Sequence, residues 1–312
     1  MTASPADRAP ASPARGLIDR PYLLLVFTML AWGGNAVAGR MAVGEVSPMV
    51  LTSIRWGVVL ALLGILYRGR ILDGWPSMRR QWKAVLAMGA CGYTFFNALY
   101  FTAAHHTTAV NLSIIQGALP VFVLLGALAI FRTPIRTGQA LGMAVTLAGI
   151  VVVASKGHLE TLAALRFNVG DLLMLGACAL YAGFTLALRG RQGASGVAFF
   201  TGLALAAFAT SLPLLAYEAA TGTLMWPTLK GWALLTYIAV IPTAFAQMAF
   251  MRAVALIGPG RAGLFINLVP IFGALMAVVI LREPFGMYHG VALAMVLVGI
   301  LLAERSALKR GA

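Results

Sequence analysis

Acidic residues are scarce in this chain. Nine Asp and Glu stand against 23 Lys and Arg, 10% of the 312 residues are charged, and 61% are apolar. With a mean hydropathy of +0.90, that balance excludes an ordinary soluble domain, which needs far more polar surface to cover its core. Cysteine is nearly absent. Cys91 and Cys178 lie inside apolar segments, so they read as small buried hydrophobes rather than a disulfide framework or a metal site. His105 and His106 are adjacent and cannot share a helical face, so no metal is expected there. The chain has no HExxH, no Ser-His-Asp set and no paired carboxylates. It therefore reads as no enzyme, and no cofactor is implied. The net charge of +14 does not indicate nucleic acid, because the basic residues punctuate apolar stretches instead of forming a groove-sized patch.

What the sequence has in abundance is long hydrophobic runs. Stretches able to cross a ~30 Å hydrocarbon layer fall near 21–41, 48–67, 82–104, 109–131 and 136–155, then near 168–189, 195–217, 231–254, 259–281 and 285–304. The expected class is an all-α membrane protein with ten transmembrane helices, its solvent being the lipid bilayer. Residues 1–20, rich in Ala, Pro, Ser and Arg, read as a disordered cytoplasmic tail. The first five-helix unit then covers 21–155, an outer loop 156–167, the second unit 168–304, and a basic cytoplasmic tail 305–312. The first apolar run has basic flanks and a second run close behind it, so it is a span and not a cleaved signal peptide.

The two halves repeat one another at a spacing of 150 residues. Trp82 returns as Trp232, Phe95 as Phe245, Pro120 as Pro270 and Phe122 as Phe272. Arg132-Thr-Pro134 returns as Arg282-Glu-Pro284, and Gly149-Ile150 as Gly299-Ile300. With the N-terminus in the cytoplasm, 17 of the 23 Lys and Arg fall inside and six outside, a clear positive-inside bias. Both termini are then cytoplasmic, in the inner membrane of a cell. Five spans per half is an odd number, so the second half enters the bilayer upside down. Inverted repeats of this kind can exchange conformations, which is the structural basis of alternating access.

These residues resemble the drug/metabolite transporter superfamily, in its EamA-type branch. The resemblance rests on Trp32-Gly-Gly-Asn35 in the first span, Arg55 in the second, Pro120 and Pro270, and the Arg-x-Pro exits of the fourth and ninth spans. It implies a central cavity lined by spans 1–4 and 6–9, with spans 5 and 10 peripheral. Similar members include exporters of amino acids, aromatic ones among them. The chain departs from the family at Thr133, where an acidic residue is common; Glu283 keeps that residue in the second half.

Polar side chains inside a bilayer face the bundle interior or a cavity. Tyr93, Asn97 and Tyr100 are spaced to share one helical face, and their repeat mates are Thr243, Gln247 and Phe250. The opposing reading for Asn97 and Gln247 is interhelical packing. Trp32 and Asn35 lie near the midplane of the first span, with Tyr181 and Phe184 in the matching place of the sixth. Asn267, Asn111 and Gln116 are further lining candidates. Substrate contacts are therefore expected from Trp32, Asn35, Tyr93, Asn97, Tyr100, Tyr181, Phe184, Thr243, Gln247 and Asn267. Pro120 and Pro270 read as mid-span hinges that free a backbone carbonyl. Arg55 could attract a substrate carboxylate, but snorkelling to the outer headgroups is the favoured expectation. Every acidic residue falls in a tail, a loop or a span end, so no buried carboxylate is expected, the one candidate exception being Asp171 close to the outer end of the sixth span.

The resulting expectation is an alternating-access exporter of small molecules, most of all amino acids with aromatic or apolar side chains. Transport is by facilitated diffusion or exchange, because a proton-driven carrier needs an intramembrane acid. The alternative is an exporter of drug-like or other small organic metabolites, with proton coupling. Gly138 and Gly142 could permit close helix approach, but they do not by themselves imply a dimer.

Overall fold

Every regular element among the described residues is helical. The computed structural model describes residues 19–157, 168–188, 196–258, 262 and 265–308. Most of the expected N-terminal tail and outer loop lies outside that set, as does the basic tail from residue 309 onward. Among the described residues the helices follow in order: α1 (Pro21–Met41), α2 (Pro48–Arg80), α3 (Trp82–Ala103), α4 (Ala109–Phe131) and α5 (Thr137–Ala154). The second set is α6 (Val169–Ala187), α7 (Gly196–Ala220), α8 (Leu229–Ile257), α9 (Leu268–Leu281) and α10 (Met287–Leu308). Helices α1 to α8 are long and apolar enough to cross a membrane, and α9 and the 287–303 part of α10 are shorter apolar helices. Large apolar side chains such as Ile65, Leu229 and Met287 are exposed, as a lipid-facing surface requires.

Helix α2 corrects one expected boundary. It does not end at residue 67 but kinks there, with Tyr67 at φ −132° and ψ 21°, and continues to Arg80. The basic residues after Tyr67 mark the end of the apolar layer, not the end of the helix. Leu72 and Trp75 on the continuation are exposed.

The repeat seen in the sequence is carried by the backbone. Arg132 and Arg282 both stop their helices in the left-handed conformation, at φ 53° with ψ 29° and 33°, and a proline two residues later prevents resumption. Helices α3 and α8 each contain a π-helical turn, Ala90–Phe95 and Ala239–Phe245, again one repeat apart. Pro242 accounts for the second, since it cannot donate to the α-helical ladder.

Packing follows a matching exchange between halves. α2 lies on α7, α4 on α9 and α5 on α10, while α1 packs on α8 and α9 as α6 packs on α3 and α4. The α5–α10 contact is a close backbone approach. A Cβ on Gly142 would come within 2.4 Å of the Gly299 carbonyl oxygen, and one on Gly299 within 2.5 Å of the Gly142 carbonyl oxygen. Gly142 thus serves a contact inside the chain.

The prolines required a second correction. Helix α4 breaks at Gly117–Ala118, and Pro120 stands in the first turn of the segment that resumes at Leu119. Pro270 likewise stands in the first turn of α9. A first-turn residue has no intrahelical acceptor for its N–H, so each proline fits where a helical segment resumes. The break in each span lies just before its proline, at Gly117–Ala118 and at Ile266–Asn267.

Candidate functional site: a central aromatic cavity

The helix pairs enclose a cavity of about 1770 Å³. Trp32, Asn35, Tyr93, Asn97, Tyr100, Tyr181, Phe184, Thr243, Gln247 and Asn267 all stand on its wall, as do Pro120 and Pro270. Gln116 joins them, but Asn111 does not. Helices α1–α4 and α6–α9 supply most of the lining, with Gln139, Ile300 and Ala303 added from α5 and α10. Among the described residues no Asp or Glu lines the cavity.

Much of the wall is a closed circuit of rings. Trp56 stacks on Tyr93 at 4.8 Å between centroids, and Tyr93 meets Phe184 at 5.2 Å. Phe184 meets Tyr181, Tyr181 meets Phe96, Phe96 meets Tyr100 and Tyr100 meets Phe101, all between 5.1 and 5.7 Å. The guanidinium of Arg55 closes the circuit, 4.8 Å from the Trp56 ring centre and 5.4 Å from that of Phe101. Contacts of this kind are each worth about 0.5–1.5 kcal/mol beyond burial.

The π-helical turns place polar groups on the same wall. Their shifted carbonyls need new donors. Trp32 Nε1 donates to the Pro242 carbonyl at 3.0 Å, Thr243 Oγ1 to Ile238 O at 2.6 Å, and Asn97 Nδ2 to Tyr93 O. Thr94 ties the α3 turn to α7 through the Ala207 carbonyl at 2.9 Å. Asn97 is therefore committed in part to its own helix. Gln247 is half-buried and also lines the cavity.

Arg55 overturns the snorkelling expectation. It lies about 10 Å along α2 from Pro48 and is only 4% exposed, so its charge does not reach the headgroups. Its Nε has no hydrogen-bond partner, and no carboxylate pairs with it among the described residues. A guanidinium near the centre of a bilayer costs about 2.5–3.5 kcal/mol on insertion scales, and cation–π contacts offset part of that. Asn35 Oδ1 and the Tyr100 hydroxyl are neighbours on the same wall, and neither has a well-formed hydrogen bond. Trp56 was not among the expected substrate contacts, and a substrate contact at Arg55 was the less favoured of its two readings. The signal available for Arg55 was a charge well inside an apolar run, and its depth in the bundle is a tertiary fact.

The carboxylates required the remaining correction, because Glu218 is buried as well as Asp171, the one candidate exception. Asp171 is 3% exposed and Glu218 7%, each at a helix end where a polar network satisfies it. Asp171 accepts from Thr107 Oγ1 at 2.6 Å and from Asn111 Nδ2 at 3.4 Å. Glu218 accepts from Ser47 Oγ at 2.6 Å and from the N–H groups of Met49 and Val50. Glu283 accepts from the N–H groups of Ala109 and Val110, both at 2.9 Å. Second-half carboxylates thus cap the N-termini of α2 and α4, where free N–H groups and the helix dipole favour negative charge.

All these contacts lie on one face of the bundle, which they close. Thr228 N–H donates to the Glu45 carbonyl at 2.9 Å and Ser47 N–H to that of Met225 at 3.1 Å. Lys230 pairs with Glu45 at 3.0 Å. The hydrogen bond from Thr228, and then Lys230, hold the Glu45 carboxyl below the usual carboxylate range. In the α3–α4 hairpin, burial and then the neighbouring His106 and Arg40 push His105 below the ordinary imidazole value. The cavity runs the other way, to a mouth marked by the exposed Arg70, Leu188 and Arg252. Arg252 pairs there with Asp19 at 2.6 Å.

A model of the EamA-like transporter family matches this sequence twice, over residues 19–155 and again over 168–304. The uncharacterized transporter YetK of Bacillus subtilis is 23% identical over 284 residues, 90% of this chain and 86% of that one. An uncharacterized transporter of Archaeoglobus fulgidus is 25% identical over 297 residues, 91% of this chain and 97% of its own length. A solved structure, titled only as the crystal structure of a protein, superposes with a TM-score of 0.63 at 19% identity, covering 94% and 99% of the two chains. That likeness is one of fold.

Proposed function

The chain belongs to the EamA-like transporter family and is a multi-pass membrane transporter, and we propose that it exports amino acids with aromatic or apolar side chains. The observation that carries this reading is the ring-walled cavity of about 1770 Å³, which holds polar groups but, among the described residues, no acid. Planar apolar side chains would lie against Trp32, Tyr93, Tyr181 and Phe184, and Asn35, Asn97, Gln247, Thr243 and Asn267 would meet the polar part of the substrate. The twofold family match and the repeated π-helical and left-handed turns support two inverted five-helix halves, ten crossings and alternating access.

With both termini in the cytoplasm of a cell whose inner membrane holds the protein, the mouth at Arg70 and Arg252 faces inward and the closed face outward. Transport is facilitated diffusion or exchange, since the buried acids are held in helix caps and polar networks away from the cavity. A drug-like or other small organic metabolite, moved with protons, is the competing reading, and the buried Asp171 is what favours it.

Purified protein in liposomes, assayed with a panel of radiolabelled amino acids, tests the proposal. Uptake of aromatic and large apolar amino acids down their gradients is expected. No movement of any amino acid would refute the substrate class, and accumulation driven by a proton gradient alone would refute the uncoupled mechanism.

A further inference from the structure

We propose that Arg55 is the anion-binding residue of the cavity, receiving the carboxylate of a substrate whose apolar part lies against the surrounding rings. This names the polar end of the substrate and rests on the transport reading above. Three observations point to it. Arg55 is almost wholly buried yet lines the cavity. It has no anionic partner among the described residues, and its Nε is unpaired. The described acids lie elsewhere: Asp171, Glu218 and Glu283 in hydrogen-bonded networks at helix ends, Glu45 and Asp19 in surface ion pairs, and Asp73 exposed.

A guanidinium stays protonated in proteins and offers a planar fork that matches a carboxylate in two parallel hydrogen bonds. Stacking over Trp56 and Phe101 holds it in place without using up its donors. Its position also fits. Arg55, Asn35 and Tyr100 are the lining residues of α2, α1 and α3 nearest the closed face, so they form the inner end of the cavity. An anion would reach that end carboxylate first, with its apolar body in the ring circuit behind it. One guanidinium surrounded by apolar rings suits a singly charged carboxylate, whereas phosphate needs more cationic partners.

The test uses the full-length purified protein and ligand-induced shifts in melting temperature, with phenylacetate, phenylacetamide and inorganic phosphate as probes. The wild type should bind phenylacetate at least ten-fold more tightly than phenylacetamide and show no shift with phosphate. Arg55→Gln should bring the two aromatic probes to equal affinity, and Arg55→Lys should keep part of the preference. If wild-type protein binds the acid and the amide alike, binds neither, or prefers phosphate, the proposal fails, and that comparison stands even if the variants do not fold. A folded Arg55→Gln protein with an undiminished preference overturns it too. Binding is read without transport, so a protein that prefers phenylacetate but moves no amino acid in liposomes would contradict the transport reading and leave this site intact.

Discussion

Trp32 on α1 donates its indole N–H to the Pro242 carbonyl at 3.0 Å, joining the first half to the π-helical turn of α8. The same ring lies 5.2 Å from Phe250 and lines the cavity. Trp32→Phe keeps an aromatic face but strands the carbonyl, and should cost about 1 kcal/mol of stability, measured as a fall in melting temperature. Trp32→Ala should impair transport of aromatic substrates more than of small ones. Equal loss for all substrates would assign the ring to folding alone.

Asn97 and Gln247 are repeat mates that both line the cavity. Replacing both by alanine should lower transport about ten-fold or more, as loss of two hydrogen bonds of roughly 1 kcal/mol each implies. The melting temperature should fall no further than in Trp32→Phe, because Asn97 also donates to the Tyr93 carbonyl. Unchanged transport would return both residues to helix packing.

Glu283 caps α4 through two backbone N–H groups. Glu283→Ala should destabilise the protein by about 1–2 kcal/mol, and Glu283→Gln by less, because the amide oxygen still accepts. Melting curves of the two variants check the order. Equal losses would mean that charge is the whole of the effect.

Glu45 has a depressed folded-state value, set first by Thr228 and then by Lys230. Its contribution is therefore present above the ordinary carboxyl range and lost as pH falls through the lower folded value. The stability difference between wild type and Glu45→Gln should be small, as expected of an exposed pair. It should be constant near neutrality and vanish as the medium is acidified below about pH 4. A difference that ignores pH would show that the carboxylate is not what joins the two loops.

The helical class, the repeat and much of the cavity wall could be read from single residues. Trp32, Asn35, Tyr93, Tyr100 and Tyr181 stand out because polar and large aromatic groups within apolar runs have few places to go. What was hidden was non-local. The break at Gly117–Ala118 changes what Pro120 does, and local sequence shows only the proline. Glu218 and Glu283 find their N–H partners more than 160 residues away, so their roles as caps follow from assembly. Asp171 near the start of α6 stood out as a candidate buried acid, but its partner Thr107 was not visible in local sequence. Arg55 showed its charge but not its depth, which depends on helices that follow it in the chain. Pro242 announced one π-helical turn, while Ala90–Phe95 contains no proline to mark the other.

The closed face must open if the cavity is to release substrate on that side. Cysteines at positions 45 and 228, where backbone N–H and carbonyl are 2.9 Å apart, would lock it when oxidised. With Cys91 and Cys178 replaced, uptake of the best liposome substrate by the Glu45→Cys, Thr228→Cys protein should stop on oxidation and recover on reduction. Full transport through the locked protein would contradict an alternating path between the two halves.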